Sequence, residues 1–201
     1  HPVRRAVVVG GGFIGLEMME NLTHQGIQVT VVEKQRQVMA PIDYDMACGV
    51  HAYLRDKGVA LRLDAAVEGF EETDSSLSVR LEGGERLETD MVVLALGVVP
   101  DTGLAKEAGL TLGGRGAIVV NDRMETSAPD IYAVGDAVQI THAVTGDPAW
   151  VPLAGPANKQ GRIAADNISG RDSRFDGSQG SSIIRLFDMT AASTGLNEKA
   201  A

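Results

Sequence analysis

Hydrophobic positions along the chain change their period several times, and each change marks an element. Arg5–Gly10 (RAVVVG) is a short β-branched run and predicts a strand. Gly10–Gly12 turn it. From Phe13 to Gln25 the pattern becomes helical, with Phe13, Leu16, Met19, Glu20 and Leu22 roughly on the period. Gly26 closes that helix where a positive φ is usual. Gln28–Glu33 predicts a second strand, so the unit has the length of a βαβ motif, about thirty residues. Asp43–Lys57 predicts a second amphipathic helix, with Met46, Val50, Tyr53 and Leu54 at helical spacing and Gly58 as its stop. Val59–Leu63 is strand-like. Ala66–Glu72, Leu77–Glu82 and Glu85–Thr89 are short β-rich runs separated by Asp74-Ser75-Ser76 and Gly83-Gly84, the pattern of an antiparallel meander. Met91–Leu96 is strongly apolar and ends in Gly97, as expected of a parallel strand buried on both faces.

Beyond Gly97 the pattern is sparser. Gly113–Gly116 predicts a loop and a boundary. Ala117–Val120 and Ile131–Val134 predict two further strands, the second buried and ending on Gly135 and Asp136. Gly155–Ile168 predicts a helix that starts near Pro156. Ser169–Ser182 is polar and glycine-rich and is expected to be a mobile linker. The ending SIIRLFDMTAASTGLNEKAA has the pattern of an edge strand that needs a partner. No repeat is visible.

Composition narrows the class. The chain has 201 residues, 44% hydrophobic and 22% charged, an ordinary globular balance for one large domain or two small ones. No apolar run approaches the ~20 residues of a membrane helix, and HPVRRAVVVG has no signal core, so a cytoplasmic protein is expected. His1 stands where a Met is usual, which suggests a piece of a longer chain. A net charge of −9 argues against nucleic acid as a partner. The single cysteine, Cys48, fits a reducing compartment and reads as a small buried helix residue rather than a nucleophile. His24, His51 and His142 show no metal-ligand spacing, and no metal site is expected.

The candidate chemistry starts at Gly10-x-Gly12-x-x-Gly15, which follows a strand and opens a helix. The first glycine permits the turn, the second lets backbone approach a pyrophosphate, and the third lets helix and strand pack closely. The helix N-terminus then offers N–H groups and a partial positive charge to phosphates. Glu33 ends the second strand, where a carboxylate accepts from a ribose 2′-OH and repels a 2′-phosphate. That favours NAD(H) over NADP(H), against which stand Lys34 and Arg36, either of which suits a phosphate. Glu17 is either an acid near a helix N-terminus or a residue facing the nicotinamide; its spacing does not choose. Asp136 is either a helix N-cap or a ligand for something polar.

Together the motifs resemble the two-dinucleotide, FAD- and NAD(P)H-dependent pyridine nucleotide–disulfide oxidoreductases. VVVGGGFIGLE resembles their NAD loop, LALGVVPDT their A-T-G-x-x-P-N-T segment with Leu96 and Asp101 departing from it, and TSAPDIYAVGDA their second FAD motif. VPLAGPANKQGRIAADNI and FDMTAASTGLNEKA resemble the branch of coenzyme A disulfide reductases, NADH oxidases and persulfide reductases. The resemblance implies an α/β fold: a Rossmann-like NAD(P)H-binding domain over residues 1–115, with parallel sheet and antiparallel meander, the second part of an FAD-binding domain over 116–177, and over 178–201 a linker and the first strand of an interface domain. It implies that the FAD glycine loop and the redox-active cysteine lie in a segment before this one. It assigns Gly10, Gly12, Phe13, Ile14, Gly15, Glu33, Lys34 and Gly97 to the NAD site, with Phe13 gating the nicotinamide pocket and Glu17 beside it. Gly135, Asp136 and Ala137 go to the FAD site, with Asp136 on the ribitol, and the helix near Pro156 points its N-terminus at the flavin.

The expected function is therefore the NADH-binding core of an FAD-dependent oxidoreductase, homodimeric at full length. It passes hydride from NAD(P)H to flavin and on to a small-molecule disulfide, persulfide or oxygen. Two alternatives stand beside it. A stand-alone NAD(H)-binding module without catalysis needs neither Asp136 nor the Pro156 helix. A Rossmann methyltransferase using S-adenosylmethionine leaves TSAPDIYAVGDA without a role. The chain by itself is expected to be inactive.

Overall fold

The computed structural model describes residues 2–73 and 76–201. His1 and the Asp74-Ser75 part of the expected turn lie outside them. Packing groups the chain into two units: residues 1–97 with 183–191 and 197–201, and residues 98–182 with 192–196.

In the first unit, β1 (Arg5–Val9), α1 (Phe13–His24), β2 (Gln28–Val32), α2 (Tyr44–Asp56) and β3 (Ala60–Arg62) alternate as expected. The meander follows as β4 (Val67–Glu72), β5 (Leu77–Leu81) and β6 (Arg86–Thr89), and then β7 (Met91–Leu94). The main sheet has the order β3-β2-β1-β7, and its pairs are parallel, with Val8 opposite Val31 and Val93. The second sheet, β4-β5-β6, is antiparallel. Strand alternation explains why β1 is apolar at successive positions. Val8 points with Val29 and Val31 into a core shared with Leu16, Met19, Val50 and Leu54 of the helices. Val7, Val9 and Val32 point the other way, onto Val79 and Leu81 of the meander. Both faces of the strand are dry, so both sets of positions must be apolar.

The exposed and buried faces of α2 differ from the sequence expectation. Ala47, Val50, His51 and Leu54 are buried, whereas Met46 is 64% exposed. Cys48 is half-buried.

The second unit contains α3 (Gly103–Glu107), β8 (Ile118–Val119), β9 (Val138–Thr141), β10 (Pro148–Ala149) and α4 (Ala154–Ile168). Its sheet has the order β10-β9-β8, and Val138, Ile140, Met124, Ala164 and Phe175 form its core. Residues 98–115, expected with the first domain, belong to this unit. Thr102 Oγ1 donates to Gly116 O at 2.7 Å and Leu112 bridges to Ile118.

Three expectations fail. Ile131–Val134 is not a buried strand. Asp130 turns the chain at φ 63°, and only Tyr132 bridges, to Glu125. Ile131 and Val134 are exposed. Ser169–Ser182 is not a free linker either. Asn167 holds Ser173 through its amide, the Phe175 N–H donates to Asp122 O, and the Phe175 ring is buried. Finally, β11 (Ser182–Leu186) does not end the chain as an unpaired edge. It pairs with β12 (Met189–Ser193), and Ile184 and Leu186 join the core of the first unit beside α1 and α2.

Candidate functional site

The turn after β1 is built from backbone. The Gly10 N–H donates to Val32 O at 2.8 Å and the Gly11 N–H to Glu33 Oε2 at 2.7 Å, so the loop is stitched to the end of β2. Gly10 adopts φ 108°, and a Cβ there would lie 2.2 Å from Ala95 O. A Cβ at Gly15 would lie 1.9 Å from Gly10 O. Both glycines are therefore demanded by close backbone approach within the protein. Gly12 differs: a Cβ there would meet nothing within 4 Å. Packing within the protein does not demand a glycine at this position. α1 has no side-chain cap and no acid in its first turn. Its leading N–H groups and its partial positive charge are left to solvent or to a ligand.

This helix end opens into a cleft of about 670 Å³, within the ~300–1,000 Å³ common for ligand pockets. Gly10–Phe13, Val32–Gln35, Ala40-Pro41, Ala65–Phe70 and Leu94–Gly97 line it. Glu33 lines the cleft beside the glycine loop. Its Oε1 accepts from the Gln35 N–H at 2.9 Å, so both carboxylate oxygens are oriented by backbone and each keeps a lone pair free. Lys34 also lines the cleft, whereas the Arg36 guanidinium lies over the Tyr44 ring, 4.4 Å from its centroid. Of the expected residues, Gly10, Gly12, Phe13, Glu33, Lys34 and Gly97 are thus brought together. Ile14, Gly15 and Glu17 do not line the cleft: Ile14 and Glu17 are exposed on α1, and Gly15 is buried against β1.

The wall behind the loop depends on His51. Its Nε2 accepts from the Val38 N–H at 3.2 Å, and Met39 N–H donates to Gly11 O at 2.8 Å. Burial, and then the charge of Arg55, hold the His51 imidazole below its ordinary pKa, which keeps Nε2 unprotonated as an acceptor.

In the second unit, Gly135, Asp136 and Ala137 form a single 3-10 turn immediately before β9. The Gly135 N–H donates to Gln160 Oε1 on α4 at 2.7 Å, and Trp150 Nε1 donates to Asp136 O at 2.6 Å. The Asp136 carboxylate itself is exposed and accepts no hydrogen bond among the described residues, so it is not an N-cap. The N-terminus of α4 also lacks a side-chain cap.

Gln35, Ala40, Pro41, the start of β4, Gln160 and Trp150 were not read as site residues from sequence. Gln35 neighbours Glu33 and Gln160 lies within the VPLAGPANKQGRIAADNI stretch, but no local signal singles out any of these side chains. Among the described residues, no cluster of His, Cys, Asp and Glu is arranged to hold a metal, and no helix is long and apolar enough to cross a membrane.

Comparison with known proteins gives a consistent result. Residues 1–161 match the family described as pyridine nucleotide-disulphide oxidoreductase. The NAD(P)H sulfur oxidoreductase (CoA-dependent) of Pyrococcus abyssi is 38% identical over 98% of this chain and 44% of its own length. An NAD-dependent persulfide reductase structure from A. fulgidus superposes with a TM-score of 0.94 at 42% identity, covering 98% of this chain and 36% of that one. An FAD-dependent pyridine nucleotide-disulphide oxidoreductase structure from Desulfovibrio vulgaris gives 0.92 at 40% identity, covering 98% and 50%. The chain thus spans half or less of each of these relatives.

Proposed function

The chain belongs to the pyridine nucleotide-disulphide oxidoreductase family, and on that premise we propose that it is the NADH-binding core of an FAD-dependent oxidoreductase. The acceptor at full length is a small-molecule disulfide, a persulfide or oxygen. One observation carries the reading: an uncapped, glycine-built helix end and a carboxylate that the glycine turn orients line one cleft.

Each half suits one part of a dinucleotide. The α1 N-terminus receives the pyrophosphate, with Gly12 leaving room for it. Glu33 accepts from the adenosine ribose hydroxyls through its free lone pairs and repels a 2′-phosphate. Because Arg36 is drawn onto Tyr44, Lys34 is the one cation of that pair lining the cleft, which favours NADH. Phe13 borders the nicotinamide end, and Glu17 lies one turn further along the same helical face. Gly97 keeps the opposite wall low.

In the second unit, the exposed Asp136 carboxylate suits the ribitol hydroxyls of FAD, with Gly135 and Ala137 as its backbone frame. The uncapped α4 N-terminus suits the electron-rich edge of a reduced flavin. When bound, the two cofactors supply hydride transfer from nicotinamide to flavin and onward passage of the electron pair to the acceptor. We place the full-length protein in the cytoplasm as a homodimer, and we expect the present chain to bind NADH without turnover.

Two titrations test this. NADH is expected to bind the chain with clear preference over NADPH, read by nicotinamide fluorescence. Equal affinity for both would remove the Glu33 argument, and no binding of either would sink the proposal. A visible spectrum after incubation with FAD and removal of free dye shows whether the second unit retains flavin alone.

A further inference from the structure

The wall of the nucleotide cleft is held from outside by the C-terminal residues of the same unit. Ala40, Pro41 and Ile42 present three successive carbonyl oxygens to residues 197–199. Lys199 Nζ donates to Ala40 O at 2.6 Å and to Ile42 O at 2.8 Å. Asn197 Nδ2 donates to Pro41 O at 2.9 Å. In return, the Asp43 carboxylate accepts from the Glu198 N–H at 2.9 Å and the Lys199 N–H at 3.4 Å.

The clasp reaches the cleft in one step. Ala40 and Pro41 are lining residues, and they have no polar side chain with which to hold their own loop. On the inner side, Met39 turns at φ 52° and donates to Gly11 O, so the loop abuts the glycine turn directly. The loop is therefore fixed at two edges: by Gly11 and His51 on one, and by residues 197–199 on the other.

We propose that Asn197 and Lys199 are positioning residues for nucleotide binding. They set the Ala40-Pro41 wall, and so couple the C-terminal segment energetically to the dinucleotide cleft. This rests on the NADH reading above. Coupling is reciprocal, so a bound nucleotide that needs the wall in place also tightens the clasp.

The experiment uses the whole chain and NADH. The double variant Asn197→Ala/Lys199→Met is compared with Lys106→Met, which removes the same charge from α3 of the other unit. The double variant is expected to raise the NADH Kd by at least about fivefold, the lower end of usual coupling, and Lys106→Met by less than about twofold. In the unmutated chain, NADH is expected to slow amide hydrogen exchange at Glu198 and Lys199, which a merely structural clasp does not require. Should the double variant not fold, Lys199→Met alone and the exchange measurement decide. Failure of the unmutated chain to bind NADH overturns the proposed function and this inference with it. NADH binding that leaves both the variant Kd and the exchange at 198–199 unchanged overturns this inference alone.

Discussion

Glu33 at the end of β2 and Gly11 in the turn after β1 are joined by a 2.7 Å hydrogen bond from the Gly11 amide to the carboxylate. The acid proposed to meet the ribose is thus oriented by the loop proposed to meet the pyrophosphate. Neither half of the site is set independently of the other.

Glu33→Ala is expected to weaken NADH binding at least about tenfold and to lower thermal stability, since a hydrogen bond to a charged group contributes ~1.5–3 kcal/mol. Glu33→Gln keeps the shape and removes the charge. Its expected effect is a narrower gap between NADH and NADPH affinities, measured by parallel fluorescence titrations.

Gly10→Ala and Gly12→Ala separate protein packing from ligand approach. At Gly10 a methyl group meets Ala95 O at 2.2 Å, and the backbone is already at φ 108°. A loss of roughly 2–4 kcal/mol in a urea unfolding experiment is expected there, from overpacking and strain together. At Gly12 the methyl meets nothing. That variant is expected to fold within about 1 kcal/mol of the parent and yet to lose most of its NADH affinity.

His51 sets a pH dependence. Its imidazole is held below the ordinary value of 6.5 in the folded state, by burial first and Arg55 second. The contribution to stability is therefore fully present above 6.5 and is lost as pH falls from there through the depressed folded value, because the unfolded chain takes up the proton first. The urea midpoint is expected to fall between neutral pH and about pH 5.5. His51→Gln, whose amide oxygen can accept from Val38, is expected to flatten that fall.

Asp136→Ala removes a carboxylate that accepts no hydrogen bond among the described residues. The unfolding free energy should change by no more than about 0.5 kcal/mol, as for other exposed substitutions. Flavin content of the full-length protein is expected to drop, read as the ratio of visible to ultraviolet absorbance.

Much of the first unit was legible because its signals are local. The Val7–Val9 run is apolar at every position since each face of β1 meets a different layer. Ile131–Val134 carries a similar apolar signature and forms no strand, because Tyr132 finds only a bridge to Glu125 and strands need ladders. Met46 is exposed for a related reason: helical spacing allows several faces, and only packing of Ala47, Val50 and Leu54 into the core with Val8 and Val31 chose one.

What the sequence determined by itself was the βαβ order, the glycine spacing and the acid at the end of β2. These follow from side-chain period and backbone sterics within about thirty residues of chain. The tertiary structure decided what those residues touch. It turned Glu33 onto Gly11, drew Arg36 onto Tyr44, brought β11 into the helical core and closed Lys199 over Ala40 and Ile42. Side-chain period does not encode such contacts, because their partners are selected only when the layers pack.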